Sequence, residues 1–152
     1  MTDVELARAL ERVEIANENF HHTSHLHVAW VYLAESSSVD EAAAKMRATL
    51  RRFASSAGQL EKYHETITLF WVQLLASEHV ANSGKSLEEI VAANPRLLEK
   101  NFLLDYYSEE RLYSDGARTS WMEPDLKPLS FDATAFCSSS SPGDTSARAL
   151  SR

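Results

Sequence analysis

Gln59-Leu60-Glu61-Lys62-Tyr63-His64-Glu65-Thr66-Ile67-Thr68-Leu69-Phe70-Trp71-Val72-Gln73-Leu74-Leu75 lies in the most apolar stretch of the chain. Leu60, Tyr63, Ile67, Phe70, Trp71 and Leu74 recur at three- and four-residue spacing. That makes a stripe wide enough for a helix buried on most of its circumference. The spacing predicts a central helix from about Gln59 to Val80, around which the remaining segments must pack.

Upstream, Thr2-x-x-Glu5 has the form of a capping box, in which a hydroxyl and a carboxylate satisfy the free amides of a first turn. Leu6, Leu10 and Val13 then carry a first helix to about Ala16 or Glu18, with Asn17 and Asn19 marking a break. A second helix covers His22 to Glu35, with Leu26, Ala29, Trp30 and Leu33 on one side. Ser38-x-x-Glu41 opens a third through Ala42, Met46, Leu50 and Phe53, and Gly58 stops it. After Asn82-Ser83-Gly84, Ser86-x-x-Glu89 caps a short fifth helix, and Asn94-Pro95 opens a sixth bearing Leu97, Leu98, Phe102, Leu103 and Tyr106. The prolines of the segment from Trp121 to Pro128 predict an extended strap across the bundle. From Ser130 onward the chain has too little apolar content to offset its ordering entropy.

With four glycines, four prolines and no alternating apolar run, the fold class is all-α. The expected architecture is one bundle of about four main helices with short C-terminal helices and the strap, over residues 1–129. Residues 130–152 are expected to form a disordered tail.

The 152 residues, 44% of them hydrophobic, suffice for one domain with a real core. A net charge of −7 argues against nucleic acid, because the densest basic segment, Lys45 to Arg52, is spread round a single helix. A lone cysteine, Cys137, allows no internal disulfide and suits a reducing cytoplasm. The acidic, amphipathic N-terminus is unlike a signal peptide, and no apolar run nears the ~20 residues that span a bilayer. A cytoplasmic protein acting on a small molecule is expected, with a homodimer as its form of self-association.

Chemistry concentrates in the histidines. Four of six fall between His21 and His27, and a fifth, His64, sits in the central apolar stretch. Residues three or four apart on a helix have Cβ atoms ~5–6 Å from one another, so His22 and His25 can face one point. If the second and central helices pack together, His22, His25 and His64 form a nitrogen set for one divalent transition metal, whether Fe, Zn, Mn or Cu. Glu65 is the candidate general base or further ligand, with Glu61 and Glu18 as other carboxylates within reach. Arg111, Arg118 and Tyr106 are candidates for orienting an acidic substrate. Thr66 and Thr68 are expected to support His64, and His79, near a helix C-terminus, reads as structural.

Known metal motifs fit only in part. His21-His22-Thr23-Ser24-His25 has zincin histidine spacing, but His22 stands where the catalytic glutamate belongs. Glu18-x-x-His21 and Glu61-x-x-His64 match the paired motif of ferritin-like di-iron bundles, which also require carboxylates from two further long helices. A mononuclear metal-dependent enzyme with oxidative or lyase-type chemistry is the leading expectation. A helical interaction or regulatory module without catalysis, and a di-iron centre, are the alternatives.

The combination Phe20-His21-His22-x-x-His25-Leu26-x-x-Ala29-Trp30 with Tyr63-His64-Glu65-Thr66-Ile67-Thr68 resembles a set of small, largely uncharacterised bacterial all-helical proteins. The likeness spans about residues 5 to 129 and extends to Tyr106-Tyr107-Ser108 and Pro124-Asp125-Leu126. It implies no particular activity, and it favours His22, His25 and His64 as the functional set.

Overall fold

The computed structural model describes residues 2–82 and 84–127. Seven α-helices follow in order: α1 (Asp3–Glu11), α2 (His22–Glu35), α3 (Val39–Ser56), α4 (Glu65–Ala81), α5 (Leu87–Ala93), α6 (Glu109–Leu112) and α7 (Asp115–Thr119). Short 3-10 turns at Asn17–Asn19, Leu60–Lys62, Pro95–Leu98 and Lys100–Asp105 join them, and no strand occurs among the described residues. The expected tail and Cys137 lie outside the described residues.

Helices α1 to α4 pack together, and α4 occupies the middle, against α2, α3 and α7. Thr66 and the whole run from Thr68 to Ala76 are buried, as a helix apolar on nearly every side requires. Trp71 and Phe70 meet Phe102, Tyr106 and Tyr107 in one aromatic cluster with ring centroids 5.1–6.0 Å apart. Tyr32, buried between helices, donates to Glu11 Oε2 at 2.6 Å and shares a 2.9 Å hydrogen bond with Thr49, so one hydroxyl ties α1, α2 and α3.

The helix ends show which local rules prevailed. Thr2 and Glu5 form the expected capping box, with bonds of 3.1 and 2.7 Å. Ser86 and Glu89 form another at α5. Gly58 ends α3 in the left-handed conformation (φ 70°), with Gln59 N–H on Ala54 O at 2.8 Å and Gly58 N–H on Ser55 O at 3.0 Å.

Helix α1 uses the same closure with the wrong residue. Glu14 N–H reaches Ala9 O at 2.8 Å and Val13 N–H reaches Leu10 O at 3.0 Å, with Val13 at φ 57°. A β-branched residue is costly there, but Val13 packs against the core. The helix therefore ends at Glu11, short of Ala16.

Two further expectations are corrected. The central helix begins at Glu65, not Gln59, because Leu60–Lys62 forms a 3-10 turn and Tyr63 and His64 are extended. The expected sixth helix is two 3-10 turns broken by the extended Glu99, which lets Leu97 and then Phe102 and Leu103 each reach the core. Of the expected strap, 121–124 run without helix or strand, 125–127 bend, and Pro128 lies outside the described residues. Met122 N–H donates to Thr66 Oγ1 at 3.1 Å, Tyr107 Oη donates to Met122 O at 2.7 Å, and Leu126 N–H donates to Tyr106 O at 2.9 Å.

Candidate ligand cleft

The start of α2 and the flank of α4 face the 3-10 turns of the C-terminal region. Between them lies a cleft of about 820 Å³. His21, His22, His25, Trp71, Asn101 and Tyr113 supply most of its polar and aromatic wall, and Phe20, Thr23, Ile67 and leucines complete it. Among the described residues, no Asp, Glu, Lys or Arg lines it. A second hollow of about 300 Å³ adjoins it, with Tyr63 and His64 in its lining. Phe20, His25 and Ile67 belong to both, so they form the partition.

Each histidine has its own task. His21 is the N-cap of α2, and its N–H donates to Ser24 Oγ at 3.3 Å. His22 bonds through Nε2 to Leu97 O at 3.0 Å. A carbonyl only accepts, so that nitrogen carries the proton. The His22 ring also stands edge-on to Trp71, with centroids 4.8 Å apart.

His25 lies alongside Phe20, with ring centroids 6.4 Å apart. Its Nε2 is buried without a hydrogen-bond partner. Burial, reinforced by the neighbouring His22, pushes its pKa down to about 3. His25 is therefore a neutral imidazole at any physiological pH.

His64 departs most from expectation. It is the N-cap of α4, its Nδ1 accepting from Ile67 N–H at 3.1 Å, while Nε2 donates to Leu112 O at 2.6 Å. Burial lowers its pKa, the bond to Leu112 working in the opposite direction. Both ring nitrogens are committed, and neither offers a lone pair to an ion. Among the described residues, the three His or acidic ligands whose donor atoms lie mutually within 4.8 Å are Asp3, His27 and Glu88, not His22, His25 and His64. The expected triad is thus not assembled, because its third member closes a helix end instead.

The other expected site residues are similarly engaged. Glu65, with a side chain only 12% exposed, accepts from Arg47 Nε at 2.7 Å and Tyr63 Oη at 2.6 Å. It is a clamp between α3 and α4, with no oxygen turned to a substrate. Tyr106 is buried in the aromatic cluster with Lys127 over its ring. Arg111 donates to Glu123 O at 2.5 Å and Arg118 to Glu61 O at 3.2 Å, so both hold backbone in place. Glu18 and Glu61 are exposed and sit on 3-10 turns. Neither Glu-x-x-His unit therefore has the helical geometry that a di-iron site uses. Thr68 bonds back to His64 O at 2.8 Å, and Thr66 serves the strap.

Trp71, Asn101 and Tyr113 line the cleft although the histidine pattern does not single them out. Their approach depends on how the C-terminal turns wrap α4, for which no local signal exists. No family model matches the chain, and neither the curated proteins nor the solved structures compared with it contain a match.

The two depressed histidines have a consequence for stability. A histidine neutral in the fold and protonated in the unfolded chain makes unfolding take up a proton. Its contribution is complete above its ordinary value of 6.5 and is lost as pH falls from there toward about 3. Urea unfolding from pH 7 down to 4 is expected to show stability dropping by up to ~1.4 kcal/mol per pH unit for each such group. His25→Leu should reduce the proton uptake in that window by nearly one; an unchanged slope would contradict the burial of His25.

Proposed function

We propose that the protein binds an uncharged small molecule with an apolar or aromatic body and a hydrogen-bonding edge, held in the His21–His22–His25 cleft. The observation that carries this reading is the buried, unpartnered Nε2 of His25 in the wall of a cavity that no carboxylate or fixed cation lines among the described residues. Buried polar atoms are rarely left unpaired, and one placed at a ligand-sized cleft is suited to pairing with a guest. The cavity volume of about 820 Å³ falls within the ~300–1,000 Å³ typical of small-molecule sites. His22 presents a ring whose proton position is set by Leu97, and Trp71 offers an aromatic surface.

Binding is favoured over proton-transfer catalysis by His25. A general base works best with a pKa near the operating pH, whereas burial keeps this imidazole a weak base. Glu65, the natural second partner, is held by Arg47 and Tyr63.

The test is a thermal-shift screen of neutral, anionic and cationic metabolites, followed by calorimetry on each compound that raises Tm. Neutral heterocyclic or aromatic compounds should bind wild type and lose at least about tenfold in affinity, some 1.4 kcal/mol, in His25→Leu. Binding that survives His25→Leu unchanged, or a screen in which only charged compounds bind, would overturn the reading.

A further inference from the structure

A second cluster lies on another part of α2. His27 Nδ1 is 3.0 Å from Asp3 Oδ1 and 3.9 Å from Glu88 Oε2, and the three donor atoms lie mutually within 4.8 Å. Asp3 comes from the first turn of α1 and Glu88 from the first turn of α5, so three helices converge on one nitrogen. That nitrogen is itself buried and makes no hydrogen bond of proper geometry, despite the carboxylate 3.0 Å away. An imidazole nitrogen and two carboxylates facing one another at such range form a donor set that one cation would bridge.

We propose that Asp3, His27 and Glu88 hold one divalent transition-metal ion of the Zn²⁺ class. Bonds of ~2.0–2.2 Å at tetrahedral angles place ligand atoms ~3.3–3.6 Å apart, and the observed 3.0 and 3.9 Å bracket that edge. One nitrogen and two oxygens suit a borderline cation. Asp3 and His27 are partly buried, and Glu88, with 68% of its side chain exposed, is the arm with freedom to adjust. His27 and Glu88 also stand on the wall of a separate hollow of about 260 Å³ lined by Leu26, Leu87, Val91 and Leu98. A three-ligand ion there keeps an open position beside an apolar pocket, the arrangement in which a metal-bound water or a ligand head group is held. None of the three ligands lines the His22–His25 cleft, whose wall has only Thr23 and Leu98 in common with this hollow, so either can fail without the other.

Full-length protein freed of metal by chelation and titrated with Co²⁺ should develop visible d–d absorption at one equivalent, displaced by Zn²⁺. The absorption should vanish in His27→Gln and in the double variant Asp3→Asn with Glu88→Gln, near-isosteric changes outside the buried core that leave folding intact. Crystals grown with Zn²⁺ should show an anomalous peak between the three side chains. Absorption persisting in either variant, an anomalous peak between His22 and His25 instead, or no absorption at millimolar Co²⁺ would overturn the site.

Discussion

Replacing His64 with alanine is expected to destabilise the protein by about 2–4 kcal/mol, from two separable losses. Removing the N-cap acceptor leaves Ile67 N–H without its partner, at about 1 kcal/mol. Removing the Nε2 donor leaves the part-buried carbonyl of Leu112 unsatisfied, at about 1–3 kcal/mol. His64→Asn separates the two, because asparagine caps a helix but is too short to keep the distant bond. It should recover roughly the first increment only. Urea midpoints of wild type and the two variants measure both, and a chelator should leave the differences between them unchanged. If His64→Ala proved neutral, or if its effect appeared only with added metal, the capping role assigned to His64 would be wrong.

Trp71→Ala is expected to cost more, about 3–5 kcal/mol. Trp71 is 1% exposed and packs against Phe70, Phe102 and the ring of His22 at centroid distances of 5.8, 5.6 and 4.8 Å. Its removal opens the core at the floor of the cleft, where the surrounding rings are braced by separate elements and collapse only partly. Equilibrium unfolding followed by far-UV circular dichroism checks the magnitude, and a loss below about 1 kcal/mol would mean that the core repacks around the gap. The variant should also bind cleft ligands more weakly than its lost stability alone explains, measured by calorimetry well below its Tm.

The architecture was largely readable where the controlling signals are local. The capping boxes at Thr2 and Ser86, the serine cap at Ser38 and the glycine stop at Gly58 each place a helix end within reach of residues three or four positions away. The end of α1 was not readable, because Val13 adopts the conformation that the chemistry of turns assigns to glycine. The start of α4 was misplaced because Leu60 and Tyr63 continue the apolar spacing of Ile67 and Phe70 although the backbone between them is not α-helical.

At the candidate cleft, the histidine cluster marks one wall, but the partners of its nitrogens have no signal in the sequence. His22 and His64 are paired with the carbonyls of Leu97 and Leu112, which every sequence has and no motif marks. Arg111 and Arg118 are ambiguous for the same reason, since an arginine bound to a carbonyl looks in sequence like one awaiting a carboxylate. His27, two residues from His25, has its carboxylate neighbours only because α1 and α5 fold against α2.

The hydroxyl of Thr66 donates to Ser120 O at 2.7 Å and accepts from Met122 N–H at 3.1 Å, joining points 54 and 56 residues apart through one oxygen atom. Loop closure on that scale has an entropic cost that only an already ordered platform can offset. The terminal wrap is therefore not an appendage to a self-sufficient four-helix unit. It completes the cover of α4, and the described chain should melt as a single cooperative unit, without a stage in which the first helices stand alone.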